Sequence, residues 1–394
     1  MKIIFITTQN PYISKGGLAL YSKQIIESLK LSFSHAEIQV VAIVDEGIKG
    51  TRINEVENNI FINEVCAGKK NKIELALSVF RRKSFNSLRY LSKYKKYESD
   101  INDADLLILN HRLALGAFDL LNFDIFNGKL IYINHNDEFS SISSMAEYIR
   151  NPIVAKLSLL EADKVFKEEI EVMKAADAVT FINSDDSFIY HSALNNRVKV
   201  KSATIPVYIN IVSTDLNNSH TKNLLLVGSF DWLPKKLNAE WLSNEVFPIV
   251  LKASPDSRLI IVGRSADKLE IDNNSVDVYS DVSDINSYYG KANIFAIPEK
   301  QTGGLKIKSV EAASKGMAIV STKSGVSGSM LKDGYECIVC DMETSEFAEA
   351  LISLIENPKK AKIMGKSAMK KVDYYFSDKT VKNKWSKFWS ELYE

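Results

Sequence analysis

Short apolar runs rich in β-branched residues recur along this chain, and longer mixed stretches separate them. In the first half the runs are Ile3–Thr7, Ile38–Val44, Leu106–Asn110, Leu130–Asn134 and Ala178–Ile182. In the second half they are Leu224–Val227, Leu259–Val262, Val276–Tyr279, Ile294–Ile297, Ala318–Ser321 and Cys337–Cys340. Runs this short, without polar alternation, predict strands buried on both faces, as in parallel sheets. Between them the spacing predicts helices over Leu18–Leu29, Ile73–Phe80, Ile153–Lys174, Ala239–Leu251, Leu305–Lys315, Ser345–Glu356 and Ala361–Val372. Strand and helix alternate throughout, so the fold class is α/β, with two Rossmann-like doubly wound domains. The polar run from Asp215 to Thr221 has no periodicity and marks a boundary. The expected division is residues 1–215, residues 216–377, and a last helix over 378–394. Trp385, Phe388 and Trp389 lie near helical spacing and should pack that helix back on the body. In such sheets ligands bind beyond the carboxyl ends of the strands. Two domains facing each other would enclose a central cleft, with a donor on one side and an acceptor on the other.

Bulk properties narrow the classes. The 394 residues suffice for two or three domains at roughly 100–200 residues each. Hydrophobic residues make up 45% and charged residues 25%, and the formal net charge is +1. No global field argues for nucleic acid, so any anion binding must be local. Three cysteines, Cys66, Cys337 and Cys340, are too few for a disulfide framework. Cys337 and Cys340 lack the second ligand pair a structural zinc site needs and read as strand residues. No secretory leader or membrane-spanning run is seen, so a cytoplasmic location is expected.

The stretch most charged with chemistry is Thr302-Gly303-Gly304-Leu305-Lys306-Ile307-Lys308-Ser309-Val310-Glu311, set between two strands. A glycine turn opening a helix between parallel strands suits a diphosphate, because helix N-termini carry unpaired N–H groups and partial positive charge. Gly303 and Gly304 allow close approach. Lys306 and Lys308 add charge, although lysines two apart point to different sides of a helix. Glu311 lies one turn further in, where it could accept hydrogen bonds from ribose hydroxyls or pair with Lys315. Lys235 and Lys236 open another helix and fit a surface loop as well as a phosphate site. Gly16 and Gly17 follow the first strand, a place for ligand approach, but no G-x-G-x-x-G accompanies them, which disfavours a dinucleotide-dependent dehydrogenase. His135 follows a strand end. Asp137 and Glu138 could serve as base, as acceptor-binding pair, or as helix-start charge. His35, His111, His191 and His220 show no comparable context. From Lys69 to Lys96 the chain is basic, with Arg81, Arg82, Lys83 and Arg89 interleaved with apolar residues. That pattern fits either a helix on an anionic membrane or a solvated helix face.

Taken in order, these segments resemble a GT-B glycosyltransferase, and glycosyltransferase family 4 in particular. Lys15-Gly16-Gly17 is similar to the family's N-terminal glycine loop, and His135-Asn136-Asp137-Glu138 to its His-Asn-x-Glu segment. Glu169, Asp177-Ala178-Val179 and Asn183-Ser184-Asp185-Asp186 follow its central helix and strand. Gly228-Ser229-Phe230-Asp231-Trp232-Leu233-Pro234 resembles the opening of its donor domain. Gly304 to Ala312 resembles its donor loop. Two departures stand out. Glu311 matches the second of the family's paired glutamates, but Gly303 occupies the first position. Ser229 stands where many members have arginine, which leaves Lys235, Lys236, Lys306 and Lys308 as sources of positive charge.

The resemblance implies a retaining, nucleotide-sugar-dependent hexosyltransferase acting in bacterial surface polysaccharide assembly. The first domain would bind a glycan or lipid-linked acceptor and the second the donor. His135, Lys306 and Glu311 would be the catalytic residues, with His135 donating a hydrogen bond to the transferred sugar. Gly16, Gly17, Lys235, Lys236, Gly303, Gly304 and Lys308 would bind the donor. No metal and no cofactor are expected. A peripheral contact with the inner face of a membrane through Lys69–Lys96 is also implied. Two alternatives stay open: a GT-B nucleotide-sugar epimerase, and a non-catalytic nucleotide-sugar-binding subunit, which Gly303 would permit.

Overall fold

The computed structural model describes residues 1–14, 16–44, 57, 59–67, 78–194, 200–209 and 221–394. They build two parallel sheets. The first has seven strands: β1 (Lys2–Thr8), β2 (Glu37–Val44), β3 (Ile60–Cys66), β4 (Leu106–Asn110), β5 (Lys129–Asn134), β6 (Ala178–Phe181) and β7 (Lys201–Thr204). Their order is β3-β2-β1-β4-β5-β6-β7. The second has six: β8 (Leu224–Ser229), β9 (Leu259–Arg264), β10 (Val276–Ser280), β11 (Ile294–Ile297), β12 (Ala318–Ser321) and β13 (Ile338–Val339). Their order is β10-β9-β8-β11-β12-β13. Both are doubly wound, with the order reversing between β1 and β4 in one and between β8 and β11 in the other. The α/β architecture expected from the alternation of runs is the one observed.

Central strands are covered on both faces. Ile3, Ile4, Phe5 and Ile6 of β1 are each 0% exposed, and Ile4 pairs with Gln39 on one side and Leu107 on the other. That double coverage is why β1 reads as an unbroken apolar run. The two strands without such a run, β3 and β7, lie at the edges of the first sheet. Asn63 and Glu64 break the apolar pattern of β3, and β7 is the mostly polar Lys201-Ser202-Ala203-Thr204. An edge strand has one solvated side and tolerates polar residues.

The long helix Pro152–Ala175 starts at Asn151, whose Oδ1 accepts from Ile153 N and Val154 N at 3.0 and 3.3 Å. Asn357 caps Pro358–Phe376 in the same way, through Lys360 N at 3.0 Å. Asparagine followed by proline supplies the cap and a preset first turn. The single helix expected over Ala239–Leu251 is longer and broken. It runs Leu233–Trp241, passes through a π-turn at Leu242–Val246, and continues as Phe247–Ala253. Pro248 has no N–H for the regular ladder, which accounts for the irregular turn just before it.

Met1–Tyr208 and Val381–Glu394 form one compact unit, and Ile209–Thr380 forms the other. The run Asp215 to His220 lies outside the described residues. The last helix, Asp378–Tyr393, belongs for most of its length to the first unit. Trp389 Nε1 donates to Ser28 Oγ at 2.9 Å, and Trp389 stacks on Trp385 at 5.3 Å between ring centroids.

Candidate functional site

In the first unit, polar residues gather where β1, β4 and β5 end, at the point where strand order reverses. Asn110, the last residue of β4, is 0% exposed. Its Nδ2 donates to Thr7 Oγ1 at 2.9 Å and to Ser22 Oγ at 2.8 Å, while its Oδ1 lies 2.6 Å from His135 Nε2. Tyr21 and His111 both meet the His135 ring edge-on, at 5.1 and 5.4 Å. Burial, then the neighbouring His111, holds His135 well below the usual histidine range, so the imidazole is neutral at pH 7. Its Nε2 is committed to Asn110, which leaves Nδ1 as the nitrogen for any further partner.

Glu138 begins the helix Glu138–Ala146 and is buried. Arg112 Nε lies 2.7 Å from its Oε2, and His111 Nε2 lies 3.2 Å from its Oε1. Burial alone would raise this carboxyl, but Arg112 and then His111 hold it down at about 2. Glu138 is therefore a paired anion, and Asp137 is the helix cap, accepting from Ser140 N at 3.2 Å. His111 has φ of 86°, a left-handed conformation that costs a non-glycine residue energy and tends to cluster at functional sites. The sequence reading gave His111 no role and passed over Arg112. Both follow β4 by one or two residues, which is the signal that could have found them. Beneath this cluster Glu169 is 0% exposed. Tyr132 Oη and Asn134 Nδ2 donate to its Oε1 at 2.6 and 3.1 Å, and Tyr190 Oη bonds its Oε2. Burial, then the Glu138 charge, pushes the Glu169 carboxyl up to about 8. Gly16 is the N-cap residue of the helix Gly17–Ser32. A Cβ there would meet no atom within 4 Å, so crowding does not select glycine at that position. Lys15 lies outside the described residues.

In the second unit, the loop after β8 and the loop after β11 converge at the other reversal point. Gly228 faces Gly263 across β8 and β9, and a Cβ on Gly263 would fall 1.8 Å from Gly228 O, so the strands meet there backbone to backbone. Lys235, from the helix after β8, reaches Glu299, two residues past β11, in an ion pair. Burial, then the ammonium groups of Lys306 and Lys308, pushes the Lys235 amine down to about 7. Gly303 and Gly304 have φ of 84° and 69°, conformations that favour glycine. They turn the chain so that Lys306 Nζ donates to Gln301 O at 2.9 Å. Lys308 Nζ lies 2.6 Å from Glu311 Oε2, to which Tyr289 Oη also donates at 3.2 Å.

The structure thus brings Lys235, Lys306 and Lys308 together, with Glu299 paired to Lys235 and Glu311 paired to Lys308. Lys236 turns away, to Glu270 at 2.8 Å and Glu240 at 3.4 Å. The helix Ile307–Ser314 does not present a free row of N–H groups. Lys306 N–H bonds to Ser327 O, Ile307 N–H to Leu305 O and Ser309 N–H to Lys306 O. Charge at this turn is carried mainly by the lysine side chains. Glu299 escaped the sequence reading because its burial and its pairing with Lys235 are tertiary facts.

Comparison with known proteins bears on this unit first. Residues 221–357 match the family model "Glycosyl transferases group 1". An uncharacterized 44.6 kDa protein in the cps region of Klebsiella pneumoniae is 24% identical over 90% of this chain and 91% of its own. Among solved structures, sucrose-phosphate synthase from Thermosynechococcus elongatus superposes with a TM-score of 0.72 at 15% identity, covering 100% of this chain and 99% of that one. Anabaena HepE, solved in complex with UDP and glucose, gives 0.65 at 16% identity, covering 99% of each chain. Likeness at such identities is one of fold. Residues 221–357 of the second unit are thus similar to group 1 glycosyl transferases, and the chain as a whole has the GT-B fold.

Proposed function

We propose that this protein is a glycosyltransferase that moves a hexose from a nucleoside-diphosphate sugar to a glycan or lipid-linked glycan, with retention of configuration, in the assembly of a bacterial surface polysaccharide. The observation that carries this reading is the convergence of Lys235, Lys306 and Lys308 at the β8/β11 reversal point, within the matched domain. Ammonium groups held there would meet the diphosphate and stabilise its growing charge as the glycosidic bond breaks. Protein cations at this position can take the part a divalent metal plays elsewhere, so no cofactor is invoked. Glu311 would accept from the ribose hydroxyls. His135, held neutral with its Nε2–H given to Asn110 Oδ1, would orient the transferred sugar by accepting from a hydroxyl at Nδ1 rather than by donating to it. The relative from a cps region and the HepE complex with UDP support the choice of pathway and donor.

Membrane contact is the second part of this reading. Among the described residues no helix is long and apolar enough to cross a membrane. Lys69, Lys70 and Lys72 lie outside the described residues, and Lys83 is taken by Asp119 at 2.9 Å and Glu171 at 3.2 Å. Arg81 and Arg82 are exposed beside Phe80, itself 90% exposed. Phe80, Arg81 and Arg82 would be among the residues that touch an anionic surface.

The test is a thermal-shift screen against UDP, GDP, ADP and their common sugars, followed by assay of nucleotide release with and without acceptor. Stabilisation by one nucleotide sugar, with release accelerated by acceptor, is the expected result. Turnover of the sugar without acceptor would point to an epimerase instead. Absence of any shift would remove the donor site.

A further inference from the structure

Glu299 is 2% exposed, and only one of its carboxylate oxygens is satisfied. Oε2 pairs with Lys235 Nζ, whereas Oε1 is buried without a hydrogen-bond partner within the protein. Its backbone is fixed: Glu299 N–H donates to Ile297 O at 2.9 Å, and Thr322 Oγ1 donates to Glu299 O. A buried acceptor left unmet costs stability, and native structures seldom keep one without a reason. The carboxylate lines a cavity together with Gly228, Phe230, Lys235, Asn238 and Lys308. It is therefore a fixed acceptor, beside cations, at the edge of a cavity of about 20 Å³, room for one hydroxyl-sized group.

The arrangement has a direction. Lys308 lines this cavity and also pairs with Glu311, while Glu299 pairs with Lys235, so the two carboxylates engage different lysines of the cluster. With the diphosphate on the lysines and the ribose at Glu311, as the reading above has it, Glu299 lies at the other end of the phosphates. That end carries the sugar. We infer that Glu299 is a specificity-determining residue, whose Oε1 accepts a hydrogen bond from a hydroxyl of the transferred sugar. The inference rests on the donor reading. An ionised carboxylate is a strong acceptor for a hydroxyl, and a site built to bond one rejects a sugar lacking it.

Calorimetry on the full chain tests this with UDP, GDP and their glucose, galactose, N-acetylglucosamine and mannose conjugates. The quantity to follow is the affinity for a nucleotide sugar divided by that for its parent nucleotide. Wild type should show a clear gain from the sugar. Glu299→Gln should cut that gain by about tenfold while leaving the parent nucleotide within about twofold, since a bond to a charged acceptor is lost. Equal weakening of nucleotide and nucleotide sugar would overturn the inference, because Glu299 would then act only by holding Lys235. An unchanged gain would overturn it too. A wild type that binds nucleotides but gains nothing from any sugar would defeat the role of Glu299 alone. A wild type that binds none would defeat the donor reading with it. Analogues of the preferred hexose lacking one hydroxyl each, measured on wild type, give the same answer without a variant: one of them should fall to the parent nucleotide's affinity, and retention by all would refute the assignment.

Discussion

At the scale of single residues, the first unit holds two buried carboxyls in opposite states, and the difference is one of neighbours. Glu138 has Arg112 and is ionised; Glu169 has hydroxyls and an amide, and keeps its proton to about 8. The sign of the stability effect follows. The folded pKa of Glu169 lies above its ordinary value of 4.5, so the folded protein binds more protons than the unfolded chain between those limits. Stability from this group is full below about 4.5 and is lost as pH rises toward 8, at roughly 1.4 kcal/mol per pH unit for one proton. Glu169→Gln removes the titration and should gain on wild type steadily across that window. Urea midpoints for both proteins at pH 5, 6.5 and 8 would show it, and a constant difference would mean that Glu169 titrates as an exposed acid does. None of this could be read from the sequence. Glu169 sits in a helix whose pattern gives its face but not its partners, and Arg112 and His111 gain meaning only once β4 and β5 lie side by side. Lys306, Lys308 and Glu311 were legible because one glycine turn and one helix set their spacing. Glu299 was not, since its partner Lys235 comes from another loop.

At the scale of elements, the chain announced every strand except β3 and β7, the two edges of the first sheet, for the physical reason that burial on both faces enforces an apolar run and an edge need not carry one. Two helix starts are written in the sequence as Asn-Pro pairs. Asn151-Pro152 and Asn357-Pro358 carry both cap and first turn, and each places the start at least a residue earlier than apolar periodicity alone. The long helix Pro152–Ala175 also shows what periodicity cannot settle. Its second half is anchored: Glu168 accepts from Ser84 N and Oγ at 2.7 Å each, and Lys164 Nζ donates to Ser78 O at 2.6 Å. Its first turns instead expose Ile153, Val154, Leu157, Leu159 and Leu160. In the 78–82 stretch that Lys164 holds, exposed Phe80 stands next to Arg81 and Arg82, and an apolar side chain next to arginines suits an anionic bilayer surface. Arg81→Glu with Arg82→Glu should reduce sedimentation with phosphatidylglycerol vesicles by about tenfold or more, from roughly 1 kcal/mol per basic residue lost and further repulsion from each acid gained. Lys83 is left intact because its pairs with Asp119 and Glu171 are structural. Equal sedimentation of variant and wild type would leave those arginines as solvated surface.

At the scale of the whole molecule, the architecture came through because strand, helix and reversal point recur twice, and because a net charge of +1 confines any anion site to local clusters. Chain order and spatial order part company at one place, the last helix. Ser28 and Trp389 are 361 residues apart and share a buried hydrogen bond. Phe33 meets Trp389 edge-on at 6.2 Å and Tyr393 at 5.5 Å, and Tyr21 lies 6.2 Å from Trp385. Tyr21 in turn touches His135. The helix Asp378–Tyr393 therefore completes the core under the first unit's polar cluster, and that unit cannot reach its final packing without residues 381–394. Trp389 is 1% exposed, and removing a buried indole costs about 3–5 kcal/mol. Trp389→Ala should then open the Gly17–Ser32 helix to hydrogen exchange, because that helix loses both a core partner and the acceptor use of Ser28. Exchange in Ile307–Ser314, which belongs to the other unit, should stay as in wild type, since local opening follows local contacts. Protection lost equally in both helices would show instead that the two units open together, and the terminal helix would then be a support for the entire chain.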